Sequence, residues 1–111
     1  MRSFTLDDLA RIIAARADST AAASYTKSLL DAGPDRVAKK LGEEAVETII
    51  AGLGSDRAAL VCEGADLVYH LLVLLQLRGI GFDEILAELE QRTTRSGHAE
   101  KAARTSSGRG V

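Results

Sequence analysis

Tryptophan is absent from this 111-residue chain, cysteine and proline occur once each, and two tyrosines and two phenylalanines are its only aromatic residues. The single thiol, Cys62, rules out an intramolecular disulfide and any cysteine-based zinc site, and it fits a reducing compartment. Cys62 lies in an apolar helical stretch and is expected to be a buried packing residue. Few aromatics, one proline and an abundance of Ala and Leu favour helices over sheets. Neither sign of charge dominates. With a formal net charge of −2, no global field draws nucleic acid or an anionic membrane, and an anionic substrate needs a locally basic pocket. The N-terminus carries no apolar signal core. The longest greasy run, Leu67 to Leu77, contains Tyr69, His70 and Gln76 and falls short of the roughly 20 apolar residues that a bilayer requires. A soluble, cytoplasmic protein with no membrane partner is expected.

What is present reads as helix. The length allows one domain, expected over residues 1–92, with a polar tail over 93–111 rich in Ser, Thr, Gly and Arg. Thr5 and Asp8 have capping-box spacing, and Leu6, Leu9 and Ile13 recur at helical intervals, which predicts a helix over about 5–17. Asp18 to Ala23 reads as a loop or weak helix, and Ser24-Tyr25-Thr26 opens a short helix ending near Gly33. Pro34 suits the first position of the next helix, whose apolar stripe is Val37, Leu41, Ala45 and Ile49. Gly52-Leu53-Gly54-Ser55-Asp56 stops that helix, and its last residues can cap another over about Arg57 to Leu77. After Asp66 this helix is apolar nearly all round and must be covered on most sides. One short chain can hardly surround it, so the expected fold is an all-α antiparallel bundle completed by homodimerisation. A last helix is expected to be capped at Phe82-Asp83, with Ile85, Leu86 and Leu89 inward.

Two acidic pairs carry the chemistry: Glu44 with Glu47, and Glu63 with Asp66. Spacing of i, i+3 puts both members of a pair on one helix face, about 60° apart. Lys40 projects between the first pair and His70 between the second. Glu47 lies seven residues before Gly54 and Glu63 nine after it, with Glu44 and Asp66 one turn further out on each side. On an antiparallel hairpin the four carboxylates meet at one level. Four anions together repel, and a hard cation relieves that repulsion with less loss of charge than protonation does. Carboxylate oxygens without thiolates suit Mg2+, or Mn2+, which keeps several waters and takes substrate phosphates as further ligands. Such a site polarises a phosphoryl oxygen and activates water. Acids three apart on a helix are commonly a solvated face; here the second pair stands in a helix that should be buried, where carboxylates need partners. Lys39 and Lys40, one turn earlier, can contact phosphate, although Lys40 also suits an i, i+4 pair with Glu44 and Lys39 a solvent-facing position. His70 is expected in the bundle core as a hydrogen-bonding residue, and Tyr69 in packing.

Ser24-Tyr25-Thr26, Lys39-Lys40-Leu41-Gly42-Glu43-Glu44-Ala45-Val46-Glu47, the run Glu63 to Leu75, and Ser96-Gly97 with Glu100-Lys101 together resemble the phosphoribosyl-ATP pyrophosphatase family. The similarity runs in order over about residues 4–104; its two central motifs are shared with the wider MazG-like all-α nucleotide pyrophosphatases. The resemblance implies hydrolysis of phosphoribosyl-ATP to phosphoribosyl-AMP and pyrophosphate in histidine biosynthesis, with Mg2+ and a dimeric bundle. By motif position it implies Glu44, Glu47, Glu63 and Asp66 as metal ligands and Glu43 as an accessory acid that orients water. Lys40 and Lys39 would contact phosphate, and Arg95 and Ser96 in the tail would close over substrate. The cyclohydrolase fused in some relatives has no room here and is expected as a separate protein. Two other readings stand beside this one. A MazG-like enzyme for other nucleoside triphosphates would share the metal site, and a non-catalytic helical dimerisation module would use the acids only for solubility. A ferritin-like di-iron bundle requires Glu-x-x-His motifs, which neither acidic pair supplies.

Overall fold

The structure, a computed structural model, describes residues 2–20 and 24–94. Among them are five helices and no strand: α1 (Leu6–Ala17), α2 (Tyr25–Ala32), α3 (Pro34–Leu53), α4 (Arg57–Leu77) and α5 (Phe82–Thr93). The all-α expectation therefore holds. Helix α5 takes in Thr93, and the expected tail from Arg95 onward lies outside the described residues.

Each helix starts where a side chain or a special residue satisfies its free N–H groups. The Asp8 amide donates to Thr5 Oγ1 at 3.1 Å, and the Thr5 amide donates to Asp8 Oδ2 at 2.9 Å, so the predicted capping box forms. Arg2 also donates to Asp8 at 2.9 Å. That guanidinium first, and then the Thr5 amide, hold the Asp8 carboxyl below its usual range. Ser24 Oγ accepts from the Lys27 amide at 3.2 Å at the head of α2, and Asp56 Oδ1 accepts from Ala59 at 3.2 Å at the head of α4. One residue separates α2 from α3. It is Gly33, at φ 95° and ψ 179°, a conformation open essentially to glycine alone, with Pro34 starting the next helix behind it. At α5 the cap is Gly81 rather than Asp83. The Glu84 carboxylate reaches back to the Gly81 amide at 3.1 Å, and Phe82 becomes the first helical residue.

The core is small and joins four helices: Ile13, Leu29, Val37, Leu72, Val73 and Leu75. It lies toward the start of α3 and the end of α4, where α1 and α2 meet those helices. Helices α3 and α4 make the most extensive pairing in the fold. Toward their connecting turn no other helix among the described residues covers them. The expected α3 stripe is thus buried at Val37 and exposed at Ile49, which keeps 63% of its surface. Leu53 is 85% exposed and Val61 68% exposed, and Val46, Ile50 and Leu60 join them. Cys62 belongs to this open end and is exposed, contrary to its expected burial. Leu86 and Leu89 likewise face outward on α5, while Ile85 packs on the core.

By length and composition α4 is the one helix, among the described residues, that could cross a bilayer. Its acids and its buried face mark it instead as a core helix, with Leu72, Val73 and Leu75 seated among α1, α2 and α3. The compactness of that core makes single truncations costly. Leu29→Ala, at a position only 2% exposed, is expected to lower the unfolding free energy by about 3 kcal/mol. Urea denaturation followed by helical circular dichroism measures it.

Candidate metal centre

Carboxylate oxygens of Glu44, Glu63 and Asp66 lie within 4.8 Å of one another. Glu44 is buried, Glu63 half-buried and Asp66 exposed, so the cluster runs from the hairpin interior to its surface. Residues on opposite sides of the Gly54 turn meet because α3 and α4 run antiparallel, as the contact of Thr48 on α3 with the Glu63 carbonyl on α4 also requires. Glu47 falls outside that three-residue group and is exposed, yet its carboxylate is close enough to act on both Glu44 and Glu63. Burial first, then Glu47 and Asp66, push the Glu44 carboxyl above its usual range, partly offset by His70. For Glu63 the contact with Glu47 comes first, followed by burial and the charges of Glu44 and Asp66.

Glu44 Oε2 and Glu63 Oε2 are buried and have no hydrogen-bond partner. A carboxylate can serve another carboxylate as a hydrogen-bond partner only if one of them holds a proton, so in the fully ionised cluster Glu47 leaves these atoms as orphaned acceptors. Orphaned oxygens, an all-oxygen donor set and mutual repulsion fit a hard divalent cation of the Mg2+ or Mn2+ kind.

Around the acids stand groups that sequence reasoning placed well and others that it missed. Lys40 Nζ lies 3.5 Å from Glu43 Oε1 and 3.8 Å from Glu44 Oε1. The Tyr25 phenol first, and then Glu43 and Glu44, raise the Lys40 pKa and keep its ammonium charged. Glu43 therefore pairs with the lysine and is not among the three clustered acids. Lys39 is exposed, and Arg95 and Ser96 lie outside the described residues. His70 is 4% exposed, as expected of a core hydrogen-bonding residue. Its Nδ1 lies 2.7 Å from the Asp66 carbonyl, which can only accept, so Nδ1 carries the proton. In the neutral ring Nε2 then accepts from the Tyr25 hydroxyl at 3.1 Å. Tyr69 stacks near Tyr25 and bonds Thr26 through its hydroxyl, tying α2 to α4.

Two features went unnoticed in the sequence. Thr48 lies one turn after Glu44, a poor helix former in an Ala- and Ile-rich stretch, and that spacing could have drawn attention to it. The contact of Tyr25 with His70 joins residues 45 positions apart and leaves no periodic trace.

With this geometry in view, comparison with known proteins is informative. The family model described as phosphoribosyl-ATP pyrophosphohydrolase matches residues 6–93. A phosphoribosyl-ATP pyrophosphatase of Azorhizobium caulinodans is 61% identical over 100 residues, covering 90% of this chain and 92% of that protein. A phosphoribosyl-ATP pyrophosphatase of Methylobacterium nodulans is 58% identical over 104 residues, covering 94% and 97%. One of Nitrobacter hamburgensis is also 58% identical, with the same coverage.

The raised carboxyls make a signed prediction for the metal-free chain. Groups whose pKa is raised on folding stabilise the native state fully below their unfolded value, and that contribution is lost as pH rises through the folded value. In a chelator the melting temperature is therefore expected to fall as pH rises above the ordinary carboxylate range. Asp8, whose carboxyl is depressed, works the other way: its contribution is lost as pH falls, in a separate window below about pH 4. Saturating Mg2+ is expected to remove the decline on the alkaline side, and Glu44→Gln to flatten it without metal. Thermal unfolding across pH, with and without Mg2+, checks both.

Proposed function

Because the chain belongs to the phosphoribosyl-ATP pyrophosphohydrolase family, we propose that it hydrolyses phosphoribosyl-ATP to phosphoribosyl-AMP and pyrophosphate, as a soluble enzyme of histidine biosynthesis in the cytoplasm. The observation that carries the mechanism is the cluster of Glu44, Glu63 and Asp66 with two orphaned buried oxygens. These three acids, with Glu47 at their edge, would hold Mg2+ or Mn2+. When bound, the cation neutralises phosphate charge and polarises a phosphoryl oxygen. The products require cleavage of the anhydride bond between the α and β phosphates, with water adding across it.

Lys40 stands beside the acids as a compact positive charge and holds the polyphosphate that the acids would otherwise repel. Glu43 orients the attacking water when substrate draws Lys40 away from it. Lys39, Arg95 and Ser96 supply outer phosphate contacts.

A second copy of the chain completes the bundle. What supports this is the apolar end of the hairpin: Val46, Ile49, Ile50 and Leu53 on α3, with Leu60 and Val61 on α4, all exposed in one chain. An exposed apolar surface of that extent marks an interface. Static light scattering at micromolar concentration is expected to give a dimer, and Leu53→Asp a monomer; a monomeric wild type contradicts the pairing.

Pyrophosphate release with Mg2+ from phosphoribosyl-ATP, beside a panel of nucleoside triphosphates, tests the activity. Preference for phosphoribosyl-ATP is expected, and equal or better use of the other nucleotides would move the chain to a broader pyrophosphatase role. Glu47→Gln and Asp66→Asn are expected to lower kcat by about two orders of magnitude. Their metal-free melting temperatures should stay equal or rise, because each removes a repelling charge. Lys40→Ala is expected to lower kcat/KM by about tenfold or more. Full activity in both acid variants would make the cluster a solvated face.

A further inference from the structure

All three acids of the cluster share a feature that their carboxylates do not reveal: the main-chain carbonyl of each accepts a hydrogen bond from a side chain. Thr48 Oγ1 donates to the Glu44 carbonyl at 2.7 Å and lies 3.0 Å from the Glu63 carbonyl. His70 Nδ1 donates to the Asp66 carbonyl at 2.7 Å. The bond from Thr48 to Glu44 is a common local one, from a helical threonine to the residue four before it. The bond to Glu63 is different, because it crosses from α3 to α4. A hydroxyl has one proton, so Thr48 shares it between carbonyls on two helices.

That shared bond sits beside the acids. Carboxylate oxygens of Glu44 and Glu63 lie within 4.8 Å of each other across the same helix pair, and when ionised they repel. Without a tie, repulsion in the metal-free chain widens the gap or rotates one helix, and the ligand oxygens lose their common level. We propose that Thr48 is a positioning residue for the metal site: its hydroxyl clamps the backbones of Glu44 and Glu63 at the spacing that a single cation can bridge, while His70 fixes the Asp66 carbonyl within α4. The proposal rests on the metal reading given above.

The test uses the full chain and Mn2+ alone as probe. Thr48→Val keeps the side-chain shape and removes the hydroxyl, Thr48→Ala removes it with less bulk, and Thr48→Ser retains it. Titration calorimetry is expected to show Mn2+ binding weakened about tenfold in Thr48→Val and Thr48→Ala and near the wild-type value in Thr48→Ser. Helical content of all three without metal should match the wild type. In turnover, the Mn2+ concentration for half-maximal rate should rise by the same factor, with KM for phosphoribosyl-ATP at saturating Mn2+ little changed. A role confined to packing would lower the melting temperature without moving the Mn2+ affinity. Wild-type Mn2+ affinity in Thr48→Val and Thr48→Ala, while Asp66→Asn loses binding, overturns the clamp and leaves the metal site standing. Impairment in Thr48→Ser equal to that in Thr48→Val also overturns it, since the hydroxyl would then not be the operative group. If the wild type binds no Mn2+, the clamp and the metal site fall together.

Discussion

Mutual repulsion among carboxylates held in a half-buried gap is the interaction to which the rest of the structure answers. Ionised acids whose oxygens lie within 4.8 Å of one another repel, and the marginal net stability of a small domain leaves little room for that strain. The fold can hold a proton on one acid, accept a cation, or let the helices part. The upward push on the Glu44 and Glu63 carboxyls favours the first response. The orphaned oxygens fit the second. Cross-helix hydrogen bonding by Thr48 opposes the third.

The architecture keeps those responses available by dividing the molecule into two ends. At one end Ile13, Leu29, Val37 and Val73 form a close core that fixes α3 and α4 against α1 and α2. At the other, the hairpin carries apolar side chains that nothing among the described residues covers. The acids lie between these ends, anchored on one side by the core and flanked on the other by exposed apolar side chains. The aromatic group of Tyr25, Tyr69 and His70 joins the anchored end to the site, since Tyr25 touches His70 and also influences Lys40.

Sequence patterning revealed the parts of this design that depend on local geometry. Helical period made Glu44 with Glu47, and Glu63 with Asp66, visible as pairs, because neighbours on a helix face repeat every three or four residues. Caps at Thr5, Ser24 and Asp56 were legible for a similar reason: a short polar side chain is placed by the two or three residues after it. Burial was less legible. Cys62, Ile49, Leu86 and Leu89 have the spacing of core residues but face outward, because the sequence shows which face is apolar and not what covers it. The contact of Glu47 with Glu63, the Thr48 bond across α3 and α4 and the Tyr25–His70 contact arise only when separate helices are brought together. Nothing in one helix encodes them alone.

The placement of the acids within a single hairpin has a kinetic consequence. Helices adjacent in sequence close a short loop, and contacts of that kind form early in folding because they sacrifice little chain entropy. Glu44, Glu63 and Asp66 are therefore expected to come together before distant elements such as α1 can secure them, so that the charge penalty enters the folding transition state. A divalent cation present while the chain collapses is then expected to speed refolding rather than only to slow unfolding, a difference that stopped-flow measurements with and without Mg2+ resolve. On this view a cation taken up by the acids would also act as a folding catalyst for its own site.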